Sequence, residues 1–318
     1  MESRFQRPLS EKNNLIRRAR LMNNIPQLQN SEHSLWLLAA RQQTYARATR
    51  FQLLQFGATV FLPILFAAAA IADPQLRAGL ATASLFLVLF DIVVFDRQQK
   101  RMLQRAAKIA EQFDHEVLQL PWNDFVVGEK IDPEDVEEAS ASYSKKASAQ
   151  ERIVDWYPKA VERAPLHVAR IACQLANLKY DATLRKIYAS AVLWLPAVIL
   201  TVTTIGASFL NLAFGDVVLS VFAPATPIFV WSLRERFRHR DTAIAQETVK
   251  AAADDFWRGI KARNEDDCED RAREFQDAIY LRRLSSPLIF PFVYALLRKK
   301  MEAQMNRGAD ERLTEAGY

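Results

Sequence analysis

Cysteine, histidine and glycine are scarce in this chain of 318 residues, which contains 2, 4 and 8 of them. Two cysteines exclude the disulfide framework of a small secreted domain. The glycines form neither a G-x-G-x-x-G turn nor a P-loop, so these phosphate-cradling motifs are absent. The histidines lack the H-x-x-x-H spacing of a helical zinc site. We therefore expect no catalytic residue, no metal, no cofactor and no enzymatic activity.

Long apolar runs are abundant, although the mean hydropathy of −0.11 is ordinary for a soluble protein. Four runs, at residues 51–72, 79–95, 187–215 and 217–233, contain no charged residue except Asp91. A helix of about 20 apolar residues is long enough to cross a hydrocarbon core of roughly 30 Å. Short turns separate the runs within each pair, so the pattern predicts two transmembrane helical hairpins with four spans.

Basic residues lie at one end of each apolar run, and that end alternates from one run to the next. They precede the first and third runs and follow the second and fourth, whereas the two short turns contain only Arg77. By the positive-inside rule, both termini and the middle segment should face the cytoplasm, where Cys173 and Cys268 would stay reduced. These flanks largely account for the net charge of +5, so no DNA or RNA partner is expected.

The predicted fold is therefore an all-α integral membrane protein with two transmembrane helical hairpins and a split cytoplasmic helical domain. Its segments are the N-terminal cytoplasmic helical segment (1–50), the first hairpin (51–95), the middle cytoplasmic helical segment (96–186), the second hairpin (187–233) and the C-terminal cytoplasmic helical tail (234–318). Within the middle segment, apolar residues between Leu103 and Leu120 recur at intervals of three and four. This spacing is typical of a helix with one buried face.

A polar stripe lies within the third apolar run. Its members, which recur at spacings of three, four and three and so share one helix face, are Thr201, Thr204, Ser208 and Asn211. Small polar residues favour close helix packing, so one interpretation is a helix–helix contact. The other is the water-facing lining of a pore that several chains assemble.

A second polar face precedes that run, on a helix expected at about residues 166–188. Its members are Arg170, Gln174, Asn177, Asp181 and Arg185. This face is either a network-forming surface of the fold or a recognition surface, in which arginines meet phosphates and aromatic rings stack on bases. The candidate aromatic residues, which in such a domain are more often core, are Trp122, Trp156, Tyr157 and Tyr180.

Six short motifs, in this order along the chain, carry a resemblance to a bacterial protein family. They are NNIPQLQN and LLAARQQTYARA before the first run, LPWN and DWYP in the middle segment, ACQLANLKYDATLRKIY before the third run, and FQDAIYLRR near the C-terminus. With them the chain resembles the SMODS- and SLOG-associating four-transmembrane effectors of cyclic-oligonucleotide antiphage (CBASS) systems. The likeness covers nearly the whole chain.

The resemblance implies a multi-pass protein of the bacterial inner membrane that forms homo-oligomers. It would open a pore or disrupt the lipid bilayer when a cyclic oligonucleotide, made by a partner nucleotidyltransferase, binds. The motif-matched positions together with Arg170 give the candidate ligand-binding residues Trp122, Asn123, Trp156, Tyr157, Arg170, Gln174, Asn177 and Arg185. The candidate pore-lining residues are Thr201, Thr204, Ser208 and Asn211. The alternative is a non-conducting, membrane-tethered receptor or scaffold that relays a signal by protein contact.

Overall fold

The computed structural model describes residues 23–62, 64–66, 69, 73–143, 145, 147–209 and 223–318. Every regular element within these residues is helical, as the all-α prediction required. The α-helices are α1 (Ile25–Leu28), α2 (Glu32–Phe56), α3 (Arg77–Phe90), α4 (Asp96–Val117), α5 (Asp124–Val127), α6 (Pro133–Ala141), α7 (Ala147–Gln150), α8 (Leu166–Phe209), α9 (Ala223–Arg258), α10 (Glu265–Ser285) and α11 (Pro291–Glu315). Short π-helical turns (Gly57–Phe61, Asp91–Phe95) and 3₁₀ turns (Pro74–Leu76, Lys159–Arg163, Ile260–Ala262) adjoin them.

Local sequence signals set several helix ends. Ser31 precedes α2, and its hydroxyl accepts a hydrogen bond from the Ser34 amide. Asn264 caps α10 in the same way, by accepting from the Asp267 amide at 2.7 Å. Pro291 occupies the first turn of α11, where its missing amide costs no intrahelical hydrogen bond. Pro291 thus begins a helix of 25 residues.

One main hydrophobic core unites most of the helices and contains apolar residues from Ile25 to Ala316. In it, α8 packs against α9, α10 and α11, and α4 packs against α2 and α10. The predicted buried face of α4 is confirmed, because the apolar residues that recur along it, from Leu103 to Val117, are buried, as is Leu120 beyond its end. Cys173 and Cys268 are free and lie buried in the same core.

The prediction of a four-span membrane protein is wrong for the part of the chain that the structure describes. No helix there has the length and the apolar composition that crossing a membrane requires. The second predicted span, residues 79–95, is not one regular α-helix, because α3 ends at Phe90 and the run continues as a π-helical turn that leads into α4. Parts of the other three runs lie outside the described residues. The structure gives no topology, so the predicted orientation stays a prediction.

Large apolar side chains are nevertheless exposed along parts of α2, α8 and α9 that adjoin one another. The ring centres of Phe56 on α2 and Trp231 on α9 are 4.5 Å apart, and α9 packs along α8. We call these side chains the apolar surface; they are Leu53, Leu54, Trp194, Val198, Val202, Val230 and Leu233. Exposed apolar patches mark contact surfaces for other molecules.

Candidate functional site

A pocket of about 720 Å³ lies between α8, α11 and the loop that precedes α8. Sites that enclose small ligands have volumes of about 300–1,000 Å³, so the pocket is of suitable size. Its lining combines aromatic residues (Trp156, Tyr157, Tyr180, Tyr294), cations (Arg152, Lys159, Arg298, Arg307) and amides (Asn177, Asn306).

The loop holds Trp156 and Tyr157 at the pocket because hydrogen bonds from the N-terminal region fix its backbone. Asp155 has a φ of 53°, in the left-handed region that L side chains rarely adopt. Asn30 stabilises this conformation, since it accepts from the Asp155 amide at 3.0 Å and donates to the Asp155 carboxylate at 2.9 Å. The Tyr157 amide donates to the Gln29 side chain at 2.6 Å. The NNIPQLQN motif therefore positions the DWYP motif, and the strained residue lies at the pocket.

Two of the pocket's aromatic side chains have polar features suited to a ligand. The Arg41 guanidinium lies 4.4 Å from the centre of the Trp156 ring, in a cation–π contact. The Tyr180 hydroxyl is buried and has no hydrogen-bond partner of normal geometry among the described residues. Burial, followed by the nearby Tyr294 hydroxyl, raises the pKa of Tyr180 well above its ordinary value, so that it remains a neutral donor. A ligand that accepts from the Tyr180 hydroxyl would compete with Tyr294 for this donor.

Carboxylates pair with three of the pocket's cations. The pairs are Lys159–Asp155 at 2.9 Å, Arg307–Glu311 at 2.9 Å, and Arg298–Glu302. Four cations and four carboxylates line the pocket, so the lining has no net formal charge. An anionic ligand would compete with these carboxylate partners for the paired cations.

Behind Tyr157, a buried polar network connects the pocket to α4 and α10. The Tyr157 hydroxyl donates to Asp114 at 2.6 Å, and Arg283 and Gln276 donate to the other Asp114 oxygen at 2.5 and 2.8 Å. Gln276 also donates to Glu111, whose other oxygen pairs with Arg273 at 2.7 Å. Burial, followed by the neighbouring Asp114 charge, raises the pKa of Glu111 from 4.5 to about 7. The members of this buried network are Glu111, Asp114, Tyr157, Arg273, Gln276 and Arg283.

Arg170 caps the end of α4 in the structure. Its guanidinium donates to the carbonyls of Leu118, at 2.6 Å, and Gln119, and it pairs with Glu269 at 2.9 Å. Gln119 has a φ of 52°, so Arg170 stabilises a left-handed turn that directs the chain away from the helix. These contacts favour the network-forming interpretation of this arginine.

Gln174 and Arg185 also join α8 to its neighbours. Gln174 donates to the Ala272 carbonyl at 2.7 Å and to Gln276. Arg185 donates to Asp181 at 2.7 Å and to the Pro287 carbonyl at 2.9 Å. Neither residue lines the pocket, so a ligand contact by either stays a prediction.

Trp122 and Asn123 also lie outside the pocket lining. The Trp122 indole donates to the Gly128 carbonyl at 3.0 Å. Asn123 caps α5 and donates to Asp277 at 2.7 Å. Of the eight predicted ligand-binding residues, the structure brings three together at the pocket: Trp156, Tyr157 and Asn177.

Two members of the predicted pore-lining stripe, Thr201 and Thr204, are exposed on α8, and the Thr201 hydroxyl donates to the Ala197 carbonyl at 2.9 Å. The Ser208 side chain and all of Asn211 lie outside what the structure describes. The pore-lining role of the stripe stays a prediction.

The α11 side of the pocket was missed in the sequence. Tyr294, Arg298 and Glu302 recur at intervals of four, so they share one face of α11, and all three line the pocket. This spacing was the available signal, but it has meaning only once Pro291 is recognised as the start of a long helix.

The chain is similar to one protein family and to a curated relative. The model of the SMODS-associating 4TM effector domain matches residues 23–312. The chain belongs to this family. The 4TM effector family, whose description marks it as membrane-associated, is the one that the sequence motifs indicated. The matched range contains every residue that lines the pocket.

A curated relative of this chain, a probable CBASS effector molecule of Bacillus cereus strain VD146, is 24% identical over 285 residues. The alignment covers 87% of this chain and 94% of the relative. No solved structure matches the chain. Family and relative together point to an effector of antiphage defence.

Proposed function

We propose that this protein is the effector of a CBASS system that binds a cyclic oligonucleotide in the pocket. In response it forms oligomers at the bacterial inner membrane and opens a pore or disrupts the bilayer. The observation that carries the proposal is that aromatic faces, cations and amides meet around one pocket inside the family's effector domain.

The pocket's chemistry suits a nucleotide with several bases and phosphates. Stacking of a base on an aromatic side chain is worth about 1–3 kcal/mol, and Trp156 and Tyr294 offer faces for it. Arginine forms paired hydrogen bonds with phosphate, which suits Arg298. The amides of Asn177 and Asn306 offer both donors and acceptors for base edges.

Ligand binding would rearrange the pocket's ion pairs. Arg298 pairs with Glu302 and also donates to the Glu151 carbonyl at 3.3 Å, so it joins α11 to the loop. A phosphate that takes the place of Glu302 keeps Arg298 paired and adds a link between ligand and α11. Binding thus reorganises α11 instead of only filling space.

The apolar surface supports the membrane part of the proposal. Trp194 is 70% exposed and Val202 62%, which is unfavourable in water. Contact of the apolar surface with lipid, or with the same surface of other copies, would remove this cost.

Calorimetric titration of the purified protein with a panel of cyclic di- and trinucleotides tests the ligand. Arg298→Ala should weaken binding about tenfold or more, since a hydrogen bond to a charged group is worth roughly 1.5–3 kcal/mol. Arg258→Ala is the control, because it removes an exposed arginine that pairs with Asp255 outside the pocket. Absence of binding across the panel, or equal losses in both variants, would refute the pocket assignment.

Dye release from liposomes of bacterial phospholipids tests the response. The nucleotide that binds should cause release with the wild-type protein and not with Arg298→Ala. Binding without release would instead support the alternative, a receptor or scaffold that conducts nothing.

A further inference from the structure

Residues 286–290, which we call the connector, join α10 to α11 without helical structure and yet are mostly buried. Buried backbone groups need hydrogen-bond partners, and here two side chains supply them. Arg185 of α8 donates to the Pro287 carbonyl at 2.9 Å, and Gln52 of α2 donates to the Leu288 carbonyl at 3.3 Å. Two side-chain hydrogen bonds, and not a helical ladder, thus satisfy the carbonyls of Pro287 and Leu288.

Both ends of the connector lead to the pocket. Before it, Arg283 of α10 binds Asp114, which accepts the hydrogen bond of Tyr157 in the pocket wall. After it, α11 begins, and Tyr294 and Arg298 near its N-terminal end line the pocket. The connector is therefore joined to the pocket from both ends.

The connector also contacts the three helices that carry the apolar surface. The Phe290 ring lies 6.2 Å from Phe56 of α2, 6.3 Å from Tyr188 of α8 and 6.0 Å from Trp231 of α9. Phe56 is two residues beyond Leu54, and Trp231 lies between Val230 and Leu233, so these contacts adjoin the apolar surface.

Arg185 is held in a buried cluster that links the connector to α9. Besides Asp181 and Pro287, Arg185 donates to His239 Nδ1 at 3.3 Å. An arginine can only donate, so Nδ1 carries no proton, and Nε2 donates to Glu235 at 3.1 Å. Burial, together with the nearby Arg185 charge, lowers the pKa of His239 and so favours this neutral form. Displacement of the connector would remove one partner of Arg185 and disturb the contact between α8 and α9.

We infer that the connector transmits occupancy of the pocket to the apolar surface, an inference that rests on the proposed function for its ligand. Tyr157 and α11 would have two arrangements, the resting one seen here and one that the ligand binds better. By favouring the second arrangement, the ligand would change the position of the connector. Gln52 and Arg185 then act as positioning residues that set the resting arrangement.

Hydrogen–deuterium exchange of the full-length protein tests this first without ligand. Tyr157→Phe removes the hydroxyl that binds Asp114 and keeps the ring. It should speed exchange roughly threefold or more in peptides covering 184–196, 229–240 and 286–296. The control is Tyr143→Phe, because the Tyr143 hydroxyl that it removes donates to the nearby Ala149 carbonyl. Equal exchange of these peptides in both variants would overturn the inference, whether or not a nucleotide binds.

The second arm adds the cyclic nucleotide that binds best in calorimetry. It should change exchange in the same three peptides in the wild-type protein. Gln52→Leu, which removes the hydrogen bond to Leu288, should keep affinity within about threefold but lose the change at 184–196 and 229–240. If the nucleotide binds but exchange in the 286–296 peptide does not change, the connector's role is overturned and the ligand assignment stands. Failure of every nucleotide to bind would count against the proposed function, and the ligand-free comparison would still decide the connector.

Discussion

The protein uses ion pairs with carboxylates in two settings that differ mainly in burial. In the buried network, the side chains of Arg283 and Asp114 are 12% and 1% exposed. At the pocket, those of Arg307 and Glu311 are 83% and 59% exposed. The chemistry of both pairs is the same, but the second pair is far more accessible to water than the first.

This difference assigns the two sets of charges different roles. A buried charge that loses its partner cannot turn to water, so the network resists change and fixes the arrangement of α4 and α10. Exposed pairs contribute about 0–1 kcal/mol each, since water or another ion replaces either partner at little cost. The exposed pairs at the pocket, Lys159–Asp155 and Arg307–Glu311, can therefore exchange partners for a ligand without loss of the fold, whereas Arg298–Glu302, at 17% and 36% exposed, lies between the two settings.

The largest effect should follow from breaking the buried side of this comparison. Asp114→Ala removes the acceptor of Tyr157, Gln276 and Arg283, and should lower the free energy of unfolding by about 3–5 kcal/mol. Chemical denaturation of the purified protein measures this. Asp255→Ala, which breaks an exposed pair, should cost less than about 1 kcal/mol. Similar costs for both variants would show that burial does not separate the two settings.

The pH dependence of stability should show the protonation of Glu111. Its folded-state pKa is raised from 4.5 to about 7, so the stability it contributes is fully present below about pH 4.5 and is lost as the pH rises through about 7. The shift corresponds to roughly 3 kcal/mol. Glutamine does not titrate, so the unfolding free energy of the Glu111→Gln variant should fall less between pH 5 and pH 8 than that of the wild-type protein. Parallel pH profiles would contradict the raised pKa.

Arg170→Ala separates structural from ligand-binding arginines. The variant leaves the carbonyls at the end of α4 without a donor and should lose about 1.5–3 kcal/mol of unfolding free energy. Lys179→Ala, an exposed change on the same helix, should have little effect. Because Arg170 does not line the pocket, nucleotide affinity of the folded variant should stay within about threefold of wild type. A tenfold loss of affinity at unchanged stability would restore Arg170 as a ligand contact.

The smallest change in stability should come from the pocket. Glu302→Gln frees Arg298 from its carboxylate partner and should raise nucleotide affinity about three- to tenfold, while stability changes by less than about 1 kcal/mol. Calorimetry gives the affinity and thermal unfolding the stability. Glu274→Gln, in an exposed pair with Arg271 outside the pocket, is the control. Unchanged affinity in Glu302→Gln would mean that a ligand does not compete for Arg298.

Local signals in the sequence predicted the helices well. The three-four spacing along α4 and the continuous helix from residue 166 into the third apolar run are properties of neighbouring residues, and the structure confirms both. The four spans were predicted from apolar content alone. Such content does not reveal that α3 ends at Phe90 and gives way to a π-helical turn.

The site was only partly predictable, because it depends on contacts between distant segments. Trp156, Tyr157 and Asn177 were singled out from motifs and spacing, and they do meet at the pocket. Arg170 has the same chemistry as a phosphate-binding arginine. Only the left-handed turn at Gln119, more than fifty residues away, shows that it caps a helix instead.

The burial of both cysteines makes the chain a convenient host for thiol-specific probes. Burial raises the pKa of Cys173 well above its usual range and that of Cys268 to about 11, so neither forms much reactive thiolate at neutral pH. Phe125 on α5 is 98% exposed. A cysteine introduced by Phe125→Cys should therefore take up a maleimide fluorophore selectively, without prior removal of the native thiols.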